Sequence, residues 1–162
     1  MVAVNKILVP LDFSETSKRV LEFARMLADA CGASLHLLHV IACPLATPET
    51  TRQEQQEAGK RLEALLNRPD RVIRHVTTSC ELGTPASEIL RYAADNCIDL
   101  IVMGTHSHGP SFRMATGSVA EVVIGLAPCP VLAVKAAEER LHDPAVDPVV
   151  AVRVRKGEED RL

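Results

Sequence analysis

The chain has 162 residues, with 18 Lys and Arg against 21 Asp and Glu, which gives a formal net charge of −3. This length favours one domain that buries roughly 70% of its unfolded surface. The composition, with 47% hydrophobic and 24% charged residues, excludes a disordered chain. Aromatic residues make up only 2%, which argues against a stacking surface for single-stranded nucleic acid, while the mild acidity leaves a local phosphate site open.

The N-terminal segment predicts a strand followed by a helix. Residues 6–11 form a short apolar run that ends at Asp12. Ser14 or Thr16 can cap the helix that follows, because apolar residues then recur at helical spacing as far as Gly32. Gly32 stands where glycine adopts the left-handed conformation of a helix end at low cost.

The next segment predicts a buried strand and a thinly packed helix. Residues 34–41 are too apolar for a strand with one face in solvent. After a loop with two prolines, Thr51 and Glu54 have the spacing of a capping box, which opens a polar helix with one apolar stripe. His36 and His39 lie three residues apart in the strand, so we expect them on opposite faces, packed under the covering helices.

The second half of the chain continues the alternation of strands and helices. Residues 71–78 alternate apolar with polar side chains, as an edge strand does. Thr84 is placed as the N-cap of the next helix, with Pro85 at its first position. Residues 98–103 then predict a fourth strand, and residues 131–135 predict a fifth.

This order of elements predicts an α/β fold, a doubly wound parallel sheet of five strands with helices on both faces. Ligands of such sheets bind beyond the carboxyl ends of the strands, where the strand order reverses. We expect residues 1–137 to form this domain and residues 138–162 to be an extension of different character. Its Val-rich piece at 149–154 is either an added edge strand or part of a loosely tethered tail.

The loop after the fourth strand carries the features of a phosphate site. The segment 104–118 contains no acidic residue and leads to Ser118 and Glu121, a second capping box at a helix N-terminus. Free N–H groups and the helix dipole favour an anion there, and Gly104 and Gly117 would let the backbone approach a phosphate closely. The alternative is an ordinary crossover loop that lacks acids.

Other ligand chemistry is less well supported by the sequence. Neither the P-loop pattern nor the dinucleotide fingerprint is present, which disfavours a kinase-like or P-loop hydrolase. No Cys, Asp or Glu lies near His106 and His108, so a histidine that titrates beside a phosphate fits better than a metal site. Asp12 either binds a ribose in the crevice or caps the following helix, and we favour the ribose because Ser14 and Thr16 can serve as caps.

The cysteines and the N-terminus indicate the cellular compartment. The five cysteines are widely spaced, with no CxxC pair, which predicts buried and reduced side chains rather than a zinc or thioredoxin-type site; they are Cys31, Cys43, Cys80, Cys97 and Cys129. No signal-peptide cleavage site follows the N-terminus, and no apolar run approaches the ~18 residues of a membrane helix. We expect a cytoplasmic protein with neither a membrane nor a nucleic-acid partner.

Four separated segments resemble the universal stress protein family. They are KILVPLDFSE, LHLLHVI, ELGTPASEILRYAADNCIDLIVMGTHS and GSVAEVVIGLAPCPVLAVK, which agree in order and spacing over residues 3–136. The resemblance implies strand order 3-2-1-4-5 in a Rossmann-like fold of the adenine nucleotide alpha hydrolase type. It also implies ATP or AMP as the ligand, with or without Mg, a regulatory role in the stress response, and a homodimer that commonly pairs fifth strands.

The family pattern for ATP binding is met in part by this sequence. Its ATP-binding members carry Gly-x2-Gly-x9-Gly-[Ser/Thr] after the fourth strand; Gly104 matches the first glycine and Gly117-Ser118 match the last pair, but Ser107 replaces the middle glycine. The serine either blocks phosphate or donates its hydroxyl to it. An interaction module that binds no ATP is therefore the first alternative, and a slow ATP hydrolase is the second.

By resemblance, the nucleotide site combines the ends of three strands with the loop after the fourth strand. Pro10, Leu11 and Val40 would border the adenine, with Val40 contributing its backbone, so that the base lies between the aliphatic walls of Leu11 and Val40. No pair of nucleophile and base is evident, so no catalytic residue is predicted. The nucleotide-binding residues implied are Pro10, Leu11, Asp12, Val40, Met103, Gly104, His106, Ser107, Arg113, Gly117, Ser118 and Val119.

Overall fold

Strands and helices alternate along the chain in this computed structural model, which describes residues 3–42, 48–66, 75–105, 119–135 and 150–153. The elements are β1 (Lys6–Pro10), α1 (Glu15–Cys31), β2 (Ser34–Ile41), α2 (Pro48–Leu66), β3 (Val76–Leu82), α3 (Pro85–Asp95), β4 (Leu100–Thr105), α4 (Val119–Leu126), β5 (Val131–Lys135) and β6 (Val150–Arg153). Within these ranges no helix is both long and apolar enough to cross a bilayer.

One sheet contains all the described strands, in the order β3-β2-β1-β4-β5-β6. The first five strands are parallel, which confirms the predicted sheet and its order 3-2-1-4-5. Strand β6 is antiparallel to β5, and its residues Val150–Arg153 lie opposite Val131–Val134. Of the two interpretations of the Val-rich piece, the structure therefore contains the added edge strand.

Alternate residues of the strands enter two separate cores, one on each face of the sheet. On β1, Ile7 and Val9 pack towards α1 and α2, whereas Leu8 packs towards α3 and α4. All three side chains are fully buried. This burial on both faces explains why the inner strands are apolar without alternation.

The predicted ends of α1 are confirmed. Ser14 is the N-cap, and its hydroxyl oxygen accepts a hydrogen bond from the Ser17 backbone N–H at 3.2 Å. Gly32 ends the helix at φ +67°, a left-handed conformation that disfavours side chains with a Cβ. At α3, Thr84 occupies the N-cap position and Pro85 lies in the first turn, as predicted, but the Thr84 side chain makes no capping hydrogen bond.

Three element boundaries differ from the predictions. Helix α2 begins at Pro48, before the predicted cap Thr51, because proline suits the first turn of a helix. Strand β3 spans Val76–Leu82 rather than residues 71–78, since it follows its neighbour β2 from Leu35 to Ile41; residues 71–74 lie outside the described residues. Strand β4 spans Leu100–Thr105 rather than residues 98–103, and its later end follows from its pairing with β5.

The predicted burial of the cysteines is wrong for the four that are described. Cys31 and Cys97 are exposed, because they lie at or just beyond helix ends where the apolar stripe runs out. Cys80 and Cys129 are half-buried, and burial raises the pKa of both thiols, which keeps them protonated. Cys43 lies outside the described residues.

The two histidines of β2 face opposite sides of the sheet, as expected. His36 is buried on the α3 face, where its Nδ1 lies 3.1 Å from the hydroxyl oxygen of Tyr92. His39 is half-buried on the opposite face, where its ring contacts Phe13. The interpretation of His36 as a packed core histidine is therefore correct, whereas His39 lies next to the loop after β1.

His36 predicts a loss of stability on acidification. Burial, and then the charge of Lys6, lowers the pKa of His36 below its ordinary 6.5. Below about pH 6.5, His36 therefore binds a proton more readily in the unfolded chain than in the folded chain. The contribution of neutral His36 to the free energy of unfolding is thus fully present above about pH 6.5 and is lost as the pH falls below that value. Urea unfolding between pH 8 and 5.5 should show a shallower decline for His36→Gln than for the unsubstituted chain. Parallel declines would show that His36 does not contribute.

Candidate functional site

The carboxyl ends of β1, β2 and β4 form the edge of the sheet at which a ligand site is expected. The strand order reverses between β1 and β4, with α1 and α2 on one face and α3 and α4 on the other. The structure brings three groups of predicted residues to this edge: Pro10 to Asp12 after β1, Val40 near the end of β2, and Met103 with Gly104 near the end of β4.

Asp12 is held in one place by the first turn of α1. Its Oδ1 accepts hydrogen bonds from the Ser14 backbone N–H at 3.0 Å, from the Ser14 hydroxyl at 2.6 Å and from the Ser17 hydroxyl. In return the Asp12 backbone N–H donates to the hydroxyl oxygen of Ser17 at 3.1 Å, and Ser17 is only 7% exposed.

The sequence suggested that Asp12 either binds a ribose or caps α1, but in the structure Asp12 supports the residue that caps α1. Ser14 is the cap, as expected, and Asp12 accepts a hydrogen bond from the Ser14 hydroxyl. The Asp12 side chain is at the same time exposed at the edge of the sheet. The local sequence Asp-Phe-Ser-Glu-Thr-Ser thus builds a fixed carboxylate at the positive end of α1. A carboxylate with an accessible side chain is suited to accept hydrogen bonds from ligand hydroxyl groups.

Leu11 and Val40 contact different cores. Leu11 is 5% exposed within the core under α1 and α2, and its backbone N–H donates to the Leu38 carbonyl at 2.8 Å. Val40 is half-buried and packs against the core under α3 and α4. The sequence placed an adenine between these two aliphatic side chains, but they lie on opposite faces of the sheet.

Gly104 has a structural role that sequence reasoning missed. It lies inside β4, and a Cβ at this position would stand 2.8 Å from Cγ2 of Thr16 and 3.3 Å from Cγ2 of Val20. Helix α1 therefore approaches the end of β4 so closely that only glycine fits. A glycine within a strand pattern is the signal for such a close approach. The neighbouring Met103 is 4% exposed in the opposite core.

The loop that should bind phosphate lies largely outside the described residues. Val119, the first residue of α4, is 38% exposed. The remaining predicted residues have no described position; they are His106, Ser107, Arg113, Gly117 and Ser118. In the part of the chain that is described, no group of three His, Cys, Asp or Glu side chains could hold a metal ion.

A groove of about 350 Å³ beside the sheet edge was not anticipated from the sequence. It lies between the end of β2 and helix α2, and Phe13 and Arg61 form part of its lining. Its other lining residues are His39, Val40, Ile41, Ala42, Glu54, Glu57 and Ala58. Phe13, one of the few aromatic residues, directly follows Asp12, and this position is the feature of the sequence that could have indicated the groove.

Known proteins with similar sequences and structures agree on one family. The model of the universal stress protein family matches residues 3–135. Universal stress protein MJ0531 of Methanocaldococcus jannaschii is 33% identical over 142 residues, which cover 81% of this chain and 82% of that protein. Universal stress protein YxiE of Bacillus subtilis is 31% identical over 148 residues, covering 81% and 99%.

Solved structures with the same fold support the assignment. The structure of MJ0577 superimposes with a TM-score of 0.70 at 31% identity and covers 85% of this chain and 100% of that one. A universal stress protein family member from Arabidopsis thaliana with AMP bound has a TM-score of 0.58 at 25% identity, covering 88% and 99%. The chain belongs to the universal stress protein family.

Proposed function

We propose that this universal stress protein binds an adenine nucleotide, ATP or AMP, at the carboxyl edge of the sheet and regulates partner proteins accordingly. The observation that carries the proposal is the Asp12 carboxylate, fixed by Ser14 and Ser17 beside the point where the strand order reverses. AMP bound to the similar Arabidopsis protein supports the choice of ligand. The site is proposed to act in the cytoplasm.

The described residues fit the sugar end of a nucleotide. Asp12 offers hydrogen-bond acceptors for the ribose hydroxyls, and the backbone at Val40 would bind the base edge. The phosphates are assigned to the loop before α4, through Ser107, Arg113, Gly117 and Ser118, with His106 nearby. A Mg²⁺ ion would arrive with the phosphates, because Asp12 is the only carboxylate assigned to the site.

The identity of the nucleotide is tested by mass spectrometry of small molecules released when the purified protein is denatured. We expect ATP or AMP in proportion to the protein, and addition of either nucleotide to stripped protein should restore the occupancy. Absence of nucleotide both before and after such addition would contradict the proposal.

Ser107 favours one alternative function, a module of the same fold that interacts with partners without nucleotide. If the serine side chain blocks the phosphates, Ser107→Gly should raise ATP affinity at least tenfold, because glycine restores close backbone approach. If its hydroxyl instead donates to phosphate, Ser107→Gly should lower the affinity. The sign of the change in a calorimetric titration therefore decides between the two roles of Ser107.

We also propose that the protein assembles as a homodimer, although not through the outer edge of β5. Residues Val150–Arg153 already pair with that edge. A second copy can pair only with an edge strand that is uncovered, so β6 excludes it from β5. Replacing both Ala151 and Val152 with proline removes two successive N–H donors from β6, one of which faces β5. Light scattering of the full chain should then show tighter self-association than in the unsubstituted dimer; unchanged or weaker association would contradict the masking of β5.

A further inference from the structure

Phe13 has a backbone conformation that its side chain disfavours. Its φ is +61°, in the left-handed region that bulky residues rarely adopt. It stands between Asp12 and the cap residue Ser14, so this turn directs the Asp12 carboxylate towards Ser14 and Ser17. Strained conformations of this kind persist only where surrounding contacts hold them, and they cluster at functional sites.

Phe13 packs against the core under α1 and α2, and two further side chains contact its ring. Its ring centroid lies 4.5 Å from that of His39, and the Arg61 guanidinium carbon lies 4.1 Å from the Phe13 centroid. His39 also fixes the other neighbour of Asp12, because its Nδ1–H donates to the Leu11 carbonyl oxygen at 2.7 Å. The contacts among Arg61, Phe13 and His39, which we call the Phe13 stack, therefore hold the chain on both sides of Asp12.

The Phe13 stack also adds to a small apolar contact between helix α2 and the core, to which Leu62 and the half-buried Leu65 contribute. Over its 19 residues this helix buries only Ala58 and Leu62. Arg61 lies on the same helix face, and one turn further on the Leu65 carbonyl accepts a hydrogen bond from Arg25 of α1. With so small an apolar contact, the docking of α2 is sensitive to the state of Phe13.

We propose that Arg61 and His39 are positioning residues that couple the docking of α2 to ligand occupancy at Asp12. This inference rests on the proposed nucleotide site. A ligand that binds the carboxylate favours the backbone conformation that places Phe13 in the stack, and the stack favours the docked helix. Since such coupling is reciprocal, nucleotide protects α2 and a docked α2 raises nucleotide affinity by the same factor.

The test compares Arg61→Gln with Lys60→Gln, an adjacent substitution that removes the same charge from an exposed position outside the stack. AMP affinity is measured by calorimetry, and hydrogen exchange of the α2 amides is measured with and without AMP. We expect Arg61→Gln to weaken AMP binding about two- to five-fold, the range for an exposed cation–π contact. It should also abolish the AMP-dependent protection of α2, whereas Lys60→Gln changes neither and Arg61→Lys restores part of both.

Equal affinity and equal protection in Arg61→Gln and Lys60→Gln would overturn the coupling. If the unsubstituted protein binds no nucleotide, the proposed function fails, and the stack is then judged by exchange in the free protein. Faster exchange of the amides from Asp12 to Ser17 in Arg61→Gln, but not in Lys60→Gln, would support the positioning role. Equal exchange rates in the two variants would overturn it.

Discussion

Replacement of Asp12 by alanine is expected to lower AMP affinity by at least tenfold. The carboxylate is the proposed acceptor for the ribose hydroxyls, and a hydrogen bond to a charged group contributes about 1.5–3 kcal/mol, while 1.4 kcal/mol corresponds to a factor of ten. Its loss also frees the Ser14 and Ser17 hydroxyls and the Ser14 N–H. We therefore expect the free energy of unfolding to fall as well, by about 1–2 kcal/mol.

Two further substitutions separate binding from folding at this position. Asp12→Asn keeps an oxygen for Ser14 and Ser17, so it should retain most of the stability but not the affinity. Glu15→Ala removes an exposed carboxylate three residues away, which pairs with Lys18, and should leave AMP affinity within twofold. Calorimetry and urea unfolding give the two readouts. Unchanged AMP affinity in Asp12→Ala would place the ribose elsewhere.

Replacement of Gly104 by alanine is expected to destabilise the fold by about 1–3 kcal/mol, the usual effect of overpacking. The added methyl group would stand 2.8 Å from the Thr16 methyl carbon, and Val20 behind it is fully buried. Neither branched side chain can move its methyl groups far without shifting α1. Because α1 carries Ser14 and Ser17, we also expect weaker nucleotide binding.

A matched substitution and a double variant identify the cause. In α4, a methyl group added at Gly125 would have no described neighbour within 4 Å outside its own helix, so Gly125→Ala should stabilise the protein by about 0.5–1 kcal/mol. Thr16→Ser removes the nearest methyl group, and combined with Gly104→Ala it should recover part of the lost stability. Urea unfolding of the single and double variants measures the interaction. Additive effects of Gly104→Ala and Thr16→Ser would contradict the close contact.

The sequence predicted the fold well because most of its strands and helices have a local pattern of apolar residues and caps. The apolar strands 34–41 and 131–135, the cap at Ser14 and the glycine end at Gly32 all follow from periodicity and capping. Errors arose where pairing with a neighbouring strand decides where a strand begins and ends. The bounds of β3 follow its pairing with β2 and not the alternation of polar and apolar residues from which the strand was predicted.

The site was predicted less completely, for a geometrical reason. The sequence predicted Asp12 and the edge of the sheet as the candidate site, because strand ends and turn residues can be read from local patterns. Which face a side chain occupies depends on register, and Leu11 and Val40 were paired across a crevice although they lie on opposite faces. The contact of Arg61 with Phe13 joins residues 48 positions apart and leaves no local pattern.

Calorimetric titration of the stripped protein with AMP and ATP tests directly whether this chain binds an adenine nucleotide. We expect saturable binding of at least one of them, with one site per chain and a dissociation constant in the millimolar range or below, which corresponds to a binding free energy of about −4 kcal/mol or stronger. Absence of saturable binding of either nucleotide at millimolar concentrations, with the protein folded, would contradict the proposed function.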